Sequence, residues 1–285
     1  GPSALAGGGT MSDGGGGQEI AEAGARLLGC DLAEWRAAAG GDLSAVVRLH
    51  LTTGGTAIAK TGPDPEAEAG MLEAIRAAGV PAPGVLAVSD RVLVLEDLED
   101  GGGLDENGWR DLGVALRHLH GAVGAGYGWP TDYAFGRVVI RNAPCDTWPA
   151  FWAERRLLPE VAALPPGLAR RLERLAADLP NRLPARPAPA LLHGDLWAGN
   201  LLAAGGRLSG LIDPACYHGH GEVDLAMLHL FGAPGAGLAE GYGPLPPGAK
   251  ERRAIYQLWP GIVHLRLFGG GYAGMLDRLL SRAGV

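Results

Sequence analysis

Residues 191–213, LLHGDLWAGNLLAAGGRLSGLID, constrain this chain more than any other stretch, because their apolar runs must be buried while the polar loop between them faces an opening. Leu191–Leu192 and Leu201–Leu202 bracket a loop that carries His193, Asp195 and Asn200. After a Gly205–Gly206 turn, Leu211–Ile212 deliver Asp213. Short apolar runs around a Gly-Gly turn predict a β-hairpin. Folding Leu201–Leu202 against Leu211–Ile212 would bring Asn200 and Asp213 within reach of one ion, with Asp195 on the same loop. Oxygen ligands in such small number suit Mg²⁺, which completes its shell with water and phosphate oxygens.

The segments upstream follow a different rhythm. Ile20, Ala23, Leu27 and Leu28 predict a first helix over 20–35, and Gly40-Gly41-Asp42-Leu43-Ser44 a break after it. Residues 46–51 and 56–60 read as a hairpin about Gly54–Gly55. Asp64 as N-cap and Pro65 in the first turn open a helix that Gly79 closes near Ala78. Residues 85–88 and 92–96 predict two more strands, giving a small antiparallel sheet with one inserted helix. Beyond Gly101-Gly102-Gly103, Trp109, Leu112, Leu116 and Leu119 have helical spacing, as do segments near 150–163, 167–179, 222–231 and 250–280. The expected class is α+β in two lobes: a sheet lobe over 18–100 and a larger, mainly α-helical lobe over 101–285. Residues 1–17 read as an appended leader before Met11 followed by a flexible glycine-rich start.

Composition narrows the partners. With 47% hydrophobic residues in 285, the chain has material for a sizeable core. A net charge of −7 with scattered arginines argues against a nucleic-acid surface and for a small-molecule partner. Cys30, Cys145 and Cys216 are far apart and odd in number, so neither a disulfide framework nor a zinc site is expected, and His218 and His220 beside two glycines read as loop residues. The absence of a long apolar run or a signal-peptide pattern makes a cytoplasmic protein with no membrane partner the expectation.

A His-x-Asp, an Asn five residues after the Asp and a following Asp loop resemble the catalytic and metal-binding loops of the protein-kinase-like superfamily. Within it, HGDLWAGN (193–200), LIDPACYHGHGEVDLAMLHLFG (211–232) and GGDLSAVVRLHL (40–51) resemble the fructosamine kinases, the ketosamine-3-kinase family, with the likeness spanning most of residues 38–285. That resemblance implies a bilobal kinase fold and ATP- and Mg²⁺-dependent phosphorylation of the 3-hydroxyl of a ketosamine, free or on a glycated protein, as a deglycation step. The chain departs from the family wording at 132–137, where Asp-Tyr-Ala-Phe-Gly-Arg replaces Asp-Asn-Phe-Ile-Gly, and at Ile140-Arg141-Asn142, which replaces Pro-Gln-x-Asn.

The implied roles fall on particular residues. Asp195 would take the hydroxyl proton or orient the attacking oxygen, Asn200 and Asp213 would hold metal, and His193 would support the loop. Lys60, one of two lysines in the chain, ends an apolar strand where kinase-like folds place the phosphate-contacting lysine. Its partner should be Glu68 and not Glu66, because Glu68 shares helical spacing with Met71, Leu72 and Ile75. Gly40 and Gly41 would let backbone approach the phosphates, and the backbone of Glu96 and Leu98 would hold the adenine edge. Trp197 is the candidate aromatic wall for a sugar, with Trp148 and Arg155 bordering the same cleft, and Asp224 would brace the catalytic loop. Two other readings stay open: a kinase of an aminoglycoside or choline-like amine, and a nucleotide-binding pseudokinase, which the intact Lys60, Asp195, Asn200 and Asp213 disfavour.

Overall fold

The computed structural model describes residues 14–38 and 45–285. Helix α1 (Gly14–Leu28) is followed by strands β1 (Leu32–Ala37), β2 (Val46–Leu51) and β3 (Thr56–Lys60), helix α2 (Pro65–Ala77), and strands β4 (Val85–Val88) and β5 (Leu93–Glu96). The strands form one antiparallel sheet in the order β1-β2-β3-β5-β4. Side chains alternate across it, so Val47, Leu49, Ala57, Ala59 and Val94 meet Ala21 of α1 on one face. On the opposite face Leu93 and Leu95 pack with Met71, Leu72 and Ile75 of α2, in a core that continues into the helical lobe.

Two expectations for the first segment are corrected. The helix ends at Leu28, not near Trp35, because Gly29 takes φ +68° and the chain leaves as edge strand β1. Gly14–Gly17 lie inside α1 instead of forming a flexible lead-in. A Cβ at Gly17 would fall 2.5 Å from the Trp35 ring, so the indole can lie across the helix only where a side chain is missing. The α2 signals hold: the Asp64 carboxylate accepts from Ala67 N at 3.0 Å and Pro65 opens the helix.

The helical lobe comprises α3 (Glu106–Gly121), a hairpin β6 (Tyr133–Phe135) and β7 (Val138–Ile140), α4 (Trp148–Trp152), α5 (Pro166–Arg182), β8 (Ala190–Leu192), β9 (Leu201–Ala204), β10 (Arg207–Leu211), β11 (Tyr217–Gly219), α6 (Glu222–Leu228), α7 (Gly237–Tyr242), α8 (Ala249–Phe268) and α9 (Ala273–Arg282). The β6–β7 hairpin and strand β11, which pairs with β8, are additions to the sequence reading. The single helical segment expected over 250–280 is two helices, parted at Gly269–Gly271. No helix among the described residues is long and apolar enough to cross a membrane.

The lobe core is aromatic. Trp148, Phe151, Trp152, Tyr217 and Tyr256 are fully or almost fully buried and interlock, Trp148 donating from Nε1 to the Tyr256 hydroxyl at 3.0 Å. Arg156 is sealed among Phe151, Tyr217 and Trp259 and donates to Asn142 Oδ1 at 2.9 Å. Burial lowers its pKa, and the faces of the rings supply the attraction that water would otherwise give the guanidinium.

Candidate active site

The expected hairpin forms: β9 and β10 pair antiparallel, Leu201 opposite Leu211 and Leu202 opposite Gly210. Strand β8 leads into the loop 193–200, which ends in a 3₁₀ turn over Ala198–Asn200. Gly194 takes φ +87°, and a Cβ there would lie 2.0 Å from Ala215 O, so only glycine lets the loop pass that close. His193 is buried at the centre of the loop. Its Nδ1 accepts from Asp195 N at 3.1 Å, which makes Nε2 the donor to Ile212 O at 2.8 Å and ties the loop to the Asp213 strand end. Burial lowers its pKa, so the ring acts as a neutral strut.

Asp224, at the start of α6, fastens the loop from behind. Its carboxylate accepts from His193 N at 2.9 Å, Gly194 N at 3.1 Å and His120 Nε2 at 2.8 Å. Burial alone would raise its pKa, but these hydrogen bonds and the nearby His120 hold it below the usual carboxylate range. His120 Nδ1 in turn meets the Tyr242 hydroxyl at 2.8 Å, so a chain of polar contacts runs from α7 through α3 to the loop 193–200. Sequence reasoning missed both. His120 carried a signal, lying four residues after Leu116 on the inward stripe of α3, whereas nothing marked Tyr242.

The cleft side of the loop carries the remaining carboxylates. Asn200 Nδ2 donates to Asp195 O at 2.7 Å and to Asp195 Oδ2 at 3.1 Å, which fixes the Asp195 side chain and turns the amide oxygen of Asn200 away. Burial above all, with the nearby charges of Asp213 and Asp224, pushes the Asp195 carboxyl well above its ordinary pKa, against the pull of Asn200 and Lys60. Asp213 is the only non-glycine among the described residues with positive φ, +51°, a conformation that Asp tolerates better than most residues. Its Oδ1 lies 2.5 Å from Lys60 Nζ, and Glu68 Oε2 lies 2.9 Å from the same nitrogen. The period-2 alternation of β3 places Lys60 on the Ile58 face, toward α2 and the cleft. As its spacing predicts, Glu68 turns inward and Glu66 faces solvent.

The other expected residues divide. Leu98 makes no backbone hydrogen bond to described residues, while the Glu96 amide is already engaged with Gly84 O at 2.9 Å. An open cavity of about 580 Å³ lies beside this segment, lined by Arg48, Asp97, Leu98, Asp100 and Gly205 among others. Trp197 is 41% exposed at the mouth of the loop. Trp148 is 0% exposed within the aromatic core, so the expectation that it borders a solvent-open cleft is corrected: its helical spacing reflects core packing. Arg155 is bound to the loop before α4, donating from Nε to Ala143 O at 2.9 Å. Gly40 and Gly41 lie outside the described residues.

The donor set fits a hard cation. The amide oxygen of Asn200 and the second oxygen of Asp213 accept no hydrogen bond from other described residues and would be the ligands, next to an Asp195 whose neighbours crowd negative charge together. Among the described residues no cluster of three or more His, Cys, Asp or Glu forms a metal cage. Two protein oxygens with water and phosphate completing the shell is the Mg²⁺ pattern.

Comparison with known proteins places this architecture. Residues 59–283 match the family model described as "Fructosamine kinase". A probable ketoamine kinase of Synechocystis is 40% identical over 204 residues, covering 67% of this chain and 66% of that protein. A probable ketoamine kinase of Thermus thermophilus is 36% identical over 250 residues, covering 85% and 91%. The crystal structure of a candidate fructosamine-3-kinase from Thermobifida fusca superposes with a TM-score of 0.84 at 31% identity, covering 93% of this chain and 98% of that one. An aminoglycoside phosphotransferase, APH(4)-Ia, crystallised with ADP and hygromycin B, shares the fold at a TM-score of 0.64 and 15% identity. A two-lobed α+β fold, a family match over most of the chain and a relative aligned over nine-tenths of its own length agree: the chain is a phosphotransferase of the fructosamine kinase family.

Proposed function

We propose that the protein transfers the γ-phosphoryl group of ATP to the 3-hydroxyl of a ketosamine, such as a fructosamine or ribulosamine, on a free or protein-bound amine. The observation that carries this reading is the meeting of Asp213 with Lys60 of the other lobe, at the end of a strand tied to the loop in which Asn200 holds Asp195. The acceptor oxygen forms a bond to the γ-phosphorus while the bond to the β–γ bridging oxygen breaks, and ADP leaves. Asp195 receives the hydroxyl proton, its carboxylate held in place by Asn200 Nδ2 at 3.1 Å. Lys60, kept cationic by Glu68 and Asp213, faces the transferring phosphates. Asn200 and Asp213 would hold Mg²⁺, which neutralises charge on the phosphates when bound. Leu98, whose backbone makes no hydrogen bond to other described residues, would meet the adenine edge, and Trp197 offers a flat apolar face to the sugar. Phosphorylation of the sugar would destabilise the adduct, a step in removing glycation.

The test is ATP consumption with Mg²⁺ against fructosamine, ribulosamine, aminoglycoside and choline acceptors, with Asp195→Asn alongside. Phosphorylation of a ketosamine at O3, located by mass spectrometry and NMR and lost in Asp195→Asn, is the expected result. Turnover of an aminoglycoside or choline with every ketosamine inert would overturn the substrate assignment.

A further inference from the structure

The Lys60–Glu68 pair has a third member that neither motif nor spacing announced. Tyr133 lies on β6, in the helical lobe, yet its hydroxyl lies 3.4 Å from Glu68 Oε1 on α2 of the sheet lobe. Tyr133 is 8% exposed and Glu68 3%, so water has little access to either group. Gly62 roofs the contact: a Cβ there would stand 3.5 Å from Glu68 Oε1 and 3.9 Å from the Tyr133 hydroxyl.

We propose that Tyr133 is a positioning residue for nucleotide binding, a strut from the helical lobe that fixes the Glu68 carboxylate and, through it, the ammonium of Lys60. The two oxygens of the Glu68 carboxylate serve different neighbours. Oε2 faces Lys60 at 2.9 Å while Oε1 faces Tyr133, so each oxygen has its own neighbour and the plane of the carboxylate is set from two lobes. Without the hydroxyl, Oε1 would be buried with no donor, and the carboxylate could rotate to relieve it. Lys60 would then lose a fixed partner and lean toward Asp213, 2.5 Å away on its other side. The tyrosine is suited to the task because burial and the charge of Glu68 keep its hydroxyl protonated and donating. Since the contact spans the lobes, Lys60 is fully oriented only when the β6–β7 hairpin and α2 are brought together.

This inference rests on the reading of Lys60 as the phosphate-binding lysine, and the experiment separates the two. The Kd for MgATP is measured by calorimetry, which needs no acceptor, for the wild type, Tyr133→Phe, Glu68→Gln, the double variant and Lys60→Ala. Tyr133→Phe keeps the ring, and a thermal melt verifies that it is folded. The expected result is a Kd for MgATP about fivefold weaker in Tyr133→Phe, with no further weakening when the same change is made in Glu68→Gln. An unchanged Kd in Tyr133→Phe, or the same loss in both backgrounds, overturns the positioning role while leaving that of Lys60 intact. A Kd unchanged in Lys60→Ala removes the lysine reading and this inference with it.

Discussion

Asp213 Oδ1 and Lys60 Nζ are 2.5 Å apart although 153 residues separate them in the chain. The contact joins the two lobes, with the group proposed to bind metal on one side and the group proposed to bind phosphate on the other. Lys60 therefore balances two carboxylates, Asp213 and Glu68, in a place where water is largely excluded. Burial alone would lower its pKa, but those two charges outweigh that effect and raise it.

Replacing the lysine exposes that balance. Lys60→Met should weaken MgATP binding and should also destabilise the free protein by about 3 kcal/mol, because a buried carboxylate loses its counter-charge. Burial already holds the Glu68 pKa above normal, so a proton on Glu68 relieves the loss. A raised folded pKa means the folded form binds the proton more tightly than the unfolded chain, so stability falls as pH rises through it. Urea denaturation should show a larger deficit for Lys60→Met at pH 8 than at pH 5, and an equal deficit at both would contradict the assignment.

Asp224 accepts from two amides of the loop 193–200, the proposed catalytic loop, and from His120 Nε2 on α3. Asp224→Asn replaces one acceptor oxygen by an NH₂ group, which cannot accept from a backbone N–H. The variant should lose about 2 kcal/mol of stability and roughly tenfold or more in kcat, since small displacements of a catalytic group are costly. Its KM for ATP should stay near the wild-type value, because Lys60 and Glu68 are not touched. A stable variant with full turnover would show that the loop does not depend on this anchor.

Much of the architecture was legible because its signals are local. Asp64 and Pro65 announce α2, Gly54–Gly55 the β2–β3 turn, and the helical offset from Glu68 to Met71, Leu72 and Ile75 tells which acid turns inward. The failures come from interactions that join distant segments. Helical periodicity alone runs on to Trp35, because it cannot see that residues 32–37 find an edge on β2, although Gly29 marks the stop. Trp148 has the same spacing as a cleft residue, and only packing against Tyr256 and Phe151 assigns it to the core. Tyr133 and Tyr242 reach partners 65 and 122 residues away in sequence, distances over which no pattern in one chain is informative.

Trp197 offers a cleaner test of the acceptor side. Its indole lies across Gly199, where a Cβ would approach within 2.2 Å of the ring, so the exposed face is held in a fixed orientation beside Asp195. Trp197→Ala should raise KM for the sugar acceptor by roughly tenfold, the scale of losing one aromatic contact, and leave KM for ATP unchanged. Trp197→Phe should restore most of the loss. Equal changes in both KM values would instead place the tryptophan in general support of the loop.

Buried histidines should contribute to the acid limit of stability, in the same direction as the depressed carboxyl of Asp224. The pKa values of His193, His218, His220 and His229 are all depressed, in each case first by burial, and that of His220 falls to about 4. Between an unfolded value of about 6.5 and these lower folded values, the unfolded chain binds more protons than the folded protein, so stability rises with pH across that window and is lost on acidification. The carboxyls of Asp195 and Glu68, whose folded pKa values are raised, act in the opposite direction, so the net slope mixes both. His220→Phe isolates one contributor, whose Nδ1 lies 2.6 Å from the Tyr256 hydroxyl and whose Nε2 lies 3.4 Å from Glu222. Removing it should flatten the curve of unfolding free energy between pH 6.5 and 4 by as much as about 1.4 kcal/mol per pH unit. Urea titrations of the two proteins at half-unit steps read the difference directly, and parallel curves would mean that His220 is charged in the folded protein.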